Sequence, residues 1–189
     1  MVAGIIIGCI ALVVAIVIIF VWASYNGLVK LDERVNEAWS DITVQLKRRA
    51  DLIPNLVETV KGYTKHESEA IKQVSDARAK MMGARSVESV ADADKSMLGA
   101  LSRIMAVSES YPELKADKNF QKLQEELSDT EDKVQAARRF YNAGVKEINT
   151  KIKVFPINLF NGFGFKKREY YEVEEAERAK INNAPEVKF

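Results

Sequence analysis

Few residues in this chain have both the type and the spacing to do chemistry. Histidine occurs once, at position 66, in the polar run Lys65-His66-Glu67. One imidazole rules out a two-histidine metal site, and its charged neighbours favour a solvated helix-surface role. The acid pairs Asp92/Asp94 and Glu125/Glu126 stand two and one residues apart. At those spacings two carboxylates on a helix diverge, so both pairs read as solvated faces rather than metal ligands. The single cysteine, Cys9, falls in an uncharged stretch, so the rest of the chain can form no internal disulfide. No glycine-rich phosphate loop is present. These residues predict no catalytic centre, no metal and no cofactor.

Two other groupings point to contacts rather than reactions. Arg48, Arg49 and Asp51 crowd against Pro54. A proline inside a helix frees a carbonyl and bends the rod, and the charges read as an intrachain brace across that kink, with a partner site as the alternative. The second grouping is Phe155-Pro156-Ile157-Asn158-Leu159-Phe160-Asn161-Gly162-Phe163-Gly164-Phe165. Phe155, Phe160, Phe163 and Phe165 lie in a stretch too rich in proline, glycine and asparagine for an α-helix. Apolar loops are unusual, since loops lie on the surface. The rings either cap the open end of a helical bundle or form a contact for another subunit or partner.

The element that positions everything else comes first. Val2 to Ala23 reads VAGIIIGCIALVVAIVIIFVWA, with no charged, amide or proline side chain. As a helix it spans about 33 Å, against a hydrocarbon core of about 30 Å. Trp22 and Tyr25 then fall where amphipathic rings suit the headgroup layer. Residues 1–25 are therefore expected to be a transmembrane anchor that contacts the bilayer through residues 2–23. A cleavable signal peptide would carry a basic amino-terminal region and a shorter apolar run, so retention is favoured. Gly4, Gly8, Ala11 and Ala15 recur on one helical stripe, where small residues let two membrane helices approach closely.

After the anchor, Leu28, Leu31, Val35, Ala38, Trp39, Ile42 and Leu46 step by threes and fours. Following a gap the seam resumes at Leu52, Ile53, Leu56, Val60, Tyr63, Ala70, Val74, Ala77 and Met81. That spacing predicts one long, coiled-coil-like helix from the membrane to about Met82. A second helix starts at the cap Ser86, with the seam Val90, Met97, Leu101, Ile104 and Val107. A third, capped by Asn119, carries Phe120, Leu123, Leu127, Val134, Ala137, Tyr141, Ile148 and Ile152. Gly144 within it suits a close helix crossing. A short polar helix from Glu169 to Lys180 and a frayed tail, 182–189, complete the chain. The expected fold is all-α: the anchor, then an antiparallel bundle over 26–181 of three long helices plus the short carboxy-terminal one. An up-down-up course would leave the aromatic segment at the end far from its own membrane. Basic and acidic residues number 28 and 27 and are interspersed, which excludes the basic stripe of a nucleic-acid binder.

The run Arg48-Arg49-Ala50-Asp51-Leu52-Ile53-Pro54-Asn55-Leu56-Val57 resembles the bacterial LemA family. The likeness continues through Tyr111-Pro112-Glu113-Leu114, Asn119-Phe120, Leu123-Gln124, Arg138-Arg139-Phe140-Tyr141-Asn142 and Phe155-Pro156. It implies one amino-terminal membrane helix, an antiparallel helical bundle and no known catalytic activity. The anchor stripe and the long seam suggest a homo-oligomeric scaffold or adaptor at the bacterial inner membrane. A monomeric tether, or an accessory subunit for a membrane-protein partner in envelope stress or a membrane protease system, is the alternative. Lys30 and Arg34 after the anchor slightly favour a cytoplasmic domain.

Overall fold

The computed structural model describes residues 1–64 and 66–171, and residues 160–163 by their backbone alone. The fold is all-α, as the sequence predicts. The elements are α1 (Val2–Tyr63), α2 (Ser68–Gly83), α3 (Val87–Glu109), α4 (Pro112–Ala116), α5 (Lys118–Lys151) and a 3-10 segment (Ile157–Gly164). The expected carboxy-terminal helix begins on residues 169–171, which are not helical, and its remainder and the tail lie outside the described residues. The chain forms two compact units. One, the anchor unit, comprises Met1–Ala38 and Phe140–Glu169; the other, the bundle unit, comprises Trp39–Arg139 with Tyr170 and Tyr171.

In the bundle unit the long first helix is not continuous to Met82. It stops at Tyr63 and restarts at Ser68. Between Tyr63 and Ala70 the seam offers no apolar residue, so no packing holds the helix through that stretch. Side chains instead fasten the turn to the loops around α4. The Tyr63 hydroxyl donates to Asp117 Oδ2 at 2.9 Å, and that of Tyr111 to Glu67 Oε1 at 3.2 Å. Asp117, rather than Asn119, caps α5, accepting from the Phe120 amide at 2.9 Å. That amide and the Tyr63 hydroxyl hold its carboxyl below the usual aspartate value. Ser86 caps α3 as expected, in a reciprocal box with Ser89.

The break adds a reversal. α2 returns along α1, with the Arg78 side chain on Ala50. α3 returns along α2, with Lys80 near Ser96 and Gln73 near Arg103. α5 runs against α1, with Arg49 opposite Glu131 and Tyr63 opposite Asp117. The bundle unit is therefore an up-down-up-down arrangement of four helical segments, where the sequence suggested three.

In the anchor unit α5 also runs against α1. Leu28 and Leu31 share a buried cluster with Ile148, and Ile152, Ile157 and Phe165 pack on it. Gly144 lets the two backbones approach: a Cβ there would stand 2.9 Å from Val35 Cγ2. This places the aromatic segment beside the start of the folded part, with the Phe165 and Tyr25 rings 6.1 Å apart. The expectation that it lies far from the anchor is overturned, because Phe165 and Ile157 find their apolar partners on the stretch of α1 and α5 around Leu28, Leu31 and Ile148.

Gly144→Leu should destabilise the folded chain by about 1–3 kcal/mol through overpacking against Val35. Chemical unfolding followed by circular dichroism in detergent checks this, and an unchanged midpoint would contradict the close crossing.

Candidate functional site

The most heavily buried chemistry is ionic and sits in the bundle unit. Arg49 is 1% exposed and Asp94 2%. Arg49 donates from Nη1 to Asp94 Oδ1 at 2.6 Å and from Nη2 to Glu131 Oε2 at 2.5 Å. The other Asp94 oxygen accepts from the Tyr171 hydroxyl at 2.9 Å. The Tyr171 ring lies beneath the Arg138 guanidinium, 4.7 Å from its centroid, and 6.4 Å from the Trp39 ring. One guanidinium thus joins α1, α3 and α5, and Tyr171 adds the segment that follows Glu169.

Burial raises the Asp94 carboxyl above the usual aspartate value, opposed first by the Arg49 charge and then by the Tyr171 hydroxyl. Burial, then the Asp94 charge, pushes the Tyr171 hydroxyl far above the ordinary phenol, so it stays a donor. With each carboxylate already engaged, the network has the chemistry of a structural pin. Among the described residues, no group of three or more His, Cys, Asp or Glu is placed to hold a metal ion.

The residues expected to brace the proline bend divide. Arg48 is half-exposed, 4.0 Å from Asp129. Asp51 and Pro54 are exposed, and Arg49 reaches other helices rather than across the bend. The brace is supplied by a residue the sequence did not single out. Pro54 lacks the amide that would bond the Ala50 carbonyl, four residues earlier, and Arg78 Nε donates to that carbonyl at 2.9 Å. α1 continues through Pro54.

Asp94, expected on a solvated face with Asp92, is the buried member of that pair; Asp92 is exposed. The signal lies in the seams. Three helices have a seven-residue interval in the seam, at Leu46 to Ile53, Val90 to Met97 and Leu127 to Val134, and α5 has a second one at Tyr141 to Ile148. Arg49, Asp94 and Glu131 stand in the first three of those gaps. Glu125 and His66 are exposed, as surface residues should be, and Glu126 is partly buried.

In the anchor unit, polar side chains clamp the segment after the aromatic loop. Asn149 exchanges two bonds with the Arg168 backbone, at 2.8 and 2.9 Å. Tyr141 donates to the Glu169 carbonyl at 2.9 Å. The Arg168 guanidinium binds Asp32 Oδ1 at 2.7 Å and Asn36 Oδ1 at 2.9 Å. Phe165 is partly buried and Phe155 is 76% exposed; the side chains of Phe160 and Phe163 lie outside the described residues. Gly4, Gly8, Ala11 and Ala15 are exposed on a helix with an apolar window none of which is buried.

Asp94→Ala should cost about 3–5 kcal/mol, because it strips a buried guanidinium of one partner. Tyr171→Phe should cost less, about 1–3 kcal/mol, by leaving one carboxylate oxygen unpaired. Arg78→Ala should cost about 1–3 kcal/mol, and most of that loss should vanish in a Pro54→Ala background, where the helix amide returns. Unfolding midpoints of the single and double variants measure each effect. Equal Arg78 losses in both backgrounds would refute the brace.

The model of the LemA family matches residues 38–189. Magnetosome protein MamQ 2 of Paramagnetospirillum magneticum is 26% identical over 179 residues, which cover 80% of this chain and 66% of that protein. Magnetosome protein MamQ of Magnetospirillum gryphiswaldense shows the same identity and coverage. Protein LemA of Metamycoplasma hominis is 30% identical over 138 residues, 70% of this chain and 61% of the relative. The chain thus spans somewhat under two thirds of the length of these curated relatives. The Arg49 pin and the Pro54 bend fall within the matched region, and the chain belongs to the LemA family.

Proposed function

We propose that this protein is a non-enzymatic scaffold or adaptor, anchored by a single membrane-spanning helix and self-associating at the bacterial inner membrane. The observation that carries the reading is the bare first part of α1. It is long and apolar enough to cross a membrane, and none of its apolar window is buried against the described residues. In water such a face would be a large exposed apolar patch; in lipid its backbone is satisfied internally and its side chains are solvated.

Self-association draws support from the stripe of Gly4, Gly8, Ala11 and Ala15. Among the described residues, nothing lies within 4 Å of a Cβ built on Gly4 or Gly8. Within lipid, helices associate by close packing rather than by the hydrophobic effect, and small residues permit that packing. Lys30 and Arg34, close behind the span, favour a cytoplasmic position for the folded part.

The mass of the full chain in native nanodiscs tests the proposal. A discrete multimer is expected, and Gly4→Leu with Gly8→Leu should reduce it towards monomer. A monomer from the unaltered chain would instead favour a tether for a membrane-protein partner, and crosslinking in cells would then identify what it holds.

A further inference from the structure

We infer that Val154, Phe155 and Leu159 form a second membrane contact, seated at the interface of the same leaflet that the anchor leaves and drawn to anionic lipid. The inference rests on the anchored reading and adds to it a lipid-binding surface on the anchor unit.

Position is the first support. The apolar run ends at Ala23, and at the helical rise Tyr25 and Leu28 stand about 3 and 8 Å beyond it. The headgroup layer of one leaflet is about 5–7 Å thick. Phe165 packs beside Tyr25, and Ile157 on the Leu28/Leu31/Ile148 cluster. Phe165 therefore stands at the level of Tyr25, where the helix leaves the hydrocarbon, and Ile157 at the level of Leu28 and Leu31, about 8–12 Å beyond the apolar run, whichever side of the membrane the domain takes.

Exposure is the second. Ile157 and Phe165 point into the protein cluster, but Val154, Phe155 and Leu159 do not. Phe155 is 76% exposed and Leu159 69%. Facing water at this height, such side chains would be an apolar patch with no use. Facing lipid they resemble the apolar side of an interfacial segment, of which about 5–10 Å is ordinarily buried. The clamp from Asn149 and Tyr141 onto residues 168–169 holds the following chain against α5 and α1 while leaving these side chains uncovered.

Charge is the third. Across residues 22–34 and 151–169 there are seven basic and three acidic side chains, whereas the whole chain is nearly balanced. Pairing takes charge from both sides: Arg168 binds Asp32, and Lys151 binds Glu147 just outside these ranges, which leaves five basic against two acidic side chains. Lys30, Lys153, Lys166 and Lys167 are exposed. A cluster of this size beside an anchor attracts the anionic lipids of a leaflet within a Debye length. A soluble protein partner would not require the patch to share the height of the anchor's exit.

The test uses the full chain with Cys9→Ser, reconstituted in nanodiscs of phosphatidylcholine alone or with phosphatidylglycerol. Single cysteines replace Ile10, Phe155, Leu159 or Glu88 and carry a spin label. Relative accessibility to oxygen and to a water-soluble nickel chelate reports depth. Labels at 155 and 159 should exclude the chelate several-fold better than the label at Glu88, an exposed bundle residue. Lys166→Glu with Lys167→Glu should shrink that difference in anionic nanodiscs and leave it unchanged in zwitterionic ones. A lipid-buried label at position 10 with fully aqueous labels at 155 and 159 would overturn the second contact and leave the anchor standing. An aqueous label at position 10 would overturn the anchor itself. Phe155 and Leu159 are both exposed, so labelling them should not disturb the core, and circular dichroism confirms that each variant retains its helices.

Discussion

The fold of the bundle unit depends on one guanidinium that has nowhere to go but onto its partners. Arg49 has lost almost all contact with water, and an uncompensated charge in that position costs several kcal/mol. It is tolerable only where Asp94 and Glu131 both reach it, which requires α1, α3 and α5 to meet at one level and in one rotation. An apolar seam of leucine and valine can slide by a turn with little loss. A buried ion pair cannot, because a slip leaves charges facing hydrocarbon. The network therefore constrains register, a role that buried polar groups fill in some other helical assemblies. Tyr171 extends the constraint, since its hydroxyl completes Asp94 and fixes where the chain lies after it leaves α5 and the aromatic loop.

A second constraint acts through parity. One break, between Tyr63 and Ser68, decides whether α5 runs against α1 or along it within the bundle unit. Ordinary local features set that break: a gap in the seam, Gly62 close before it, and two tyrosine hydroxyls bonded across to the turns around α4. Its consequence within that unit is large, because each added reversal inverts the direction of every later helix. The bend at Pro54 has no such effect. Arg78 takes over the carbonyl that the proline frees, and the helix carries on.

Much of this architecture is legible in the amino-acid sequence. The apolar span, the helical seams, the Ser86 cap and the close crossing at Gly144 follow from residue type and spacing. So does the existence of a polar interruption in each seam. What spacing does not supply is the identity of the partners. Arg49 sits beside Asp51 in sequence, and the nearest acid is the natural first choice for a brace. Three-dimensional proximity instead pairs it with residues 45 and 82 positions away. The expectation of a solvated Asp94 fails for a related reason. Its spacing from Asp92 shows only that the two diverge, not which of them faces the core. The matching gaps at Arg49, Asp94 and Glu131 single them out only when the interruptions are compared between helices rather than along each one.

The two proposed membrane contacts have different thermodynamic roles. A helix of some twenty apolar residues is effectively irreversible as an anchor, so further lipid contact can add almost nothing to retention. What a lone span leaves undetermined is its own rotation and the height at which its polar end emerges; tilt and rotation are set by flanking anchors and by packing. Leu28, Leu31 and Val35 already commit one face of α1 to α5. Adding Phe155 and Leu159 at the interface would remove the freedom to spin about the helix axis. The face bearing Gly4 and Gly8 would then meet lipid, or another copy, in one orientation. In that way the aromatic segment can favour association of the spans without touching a second subunit, because a helix held in one rotation loses less entropy when it pairs.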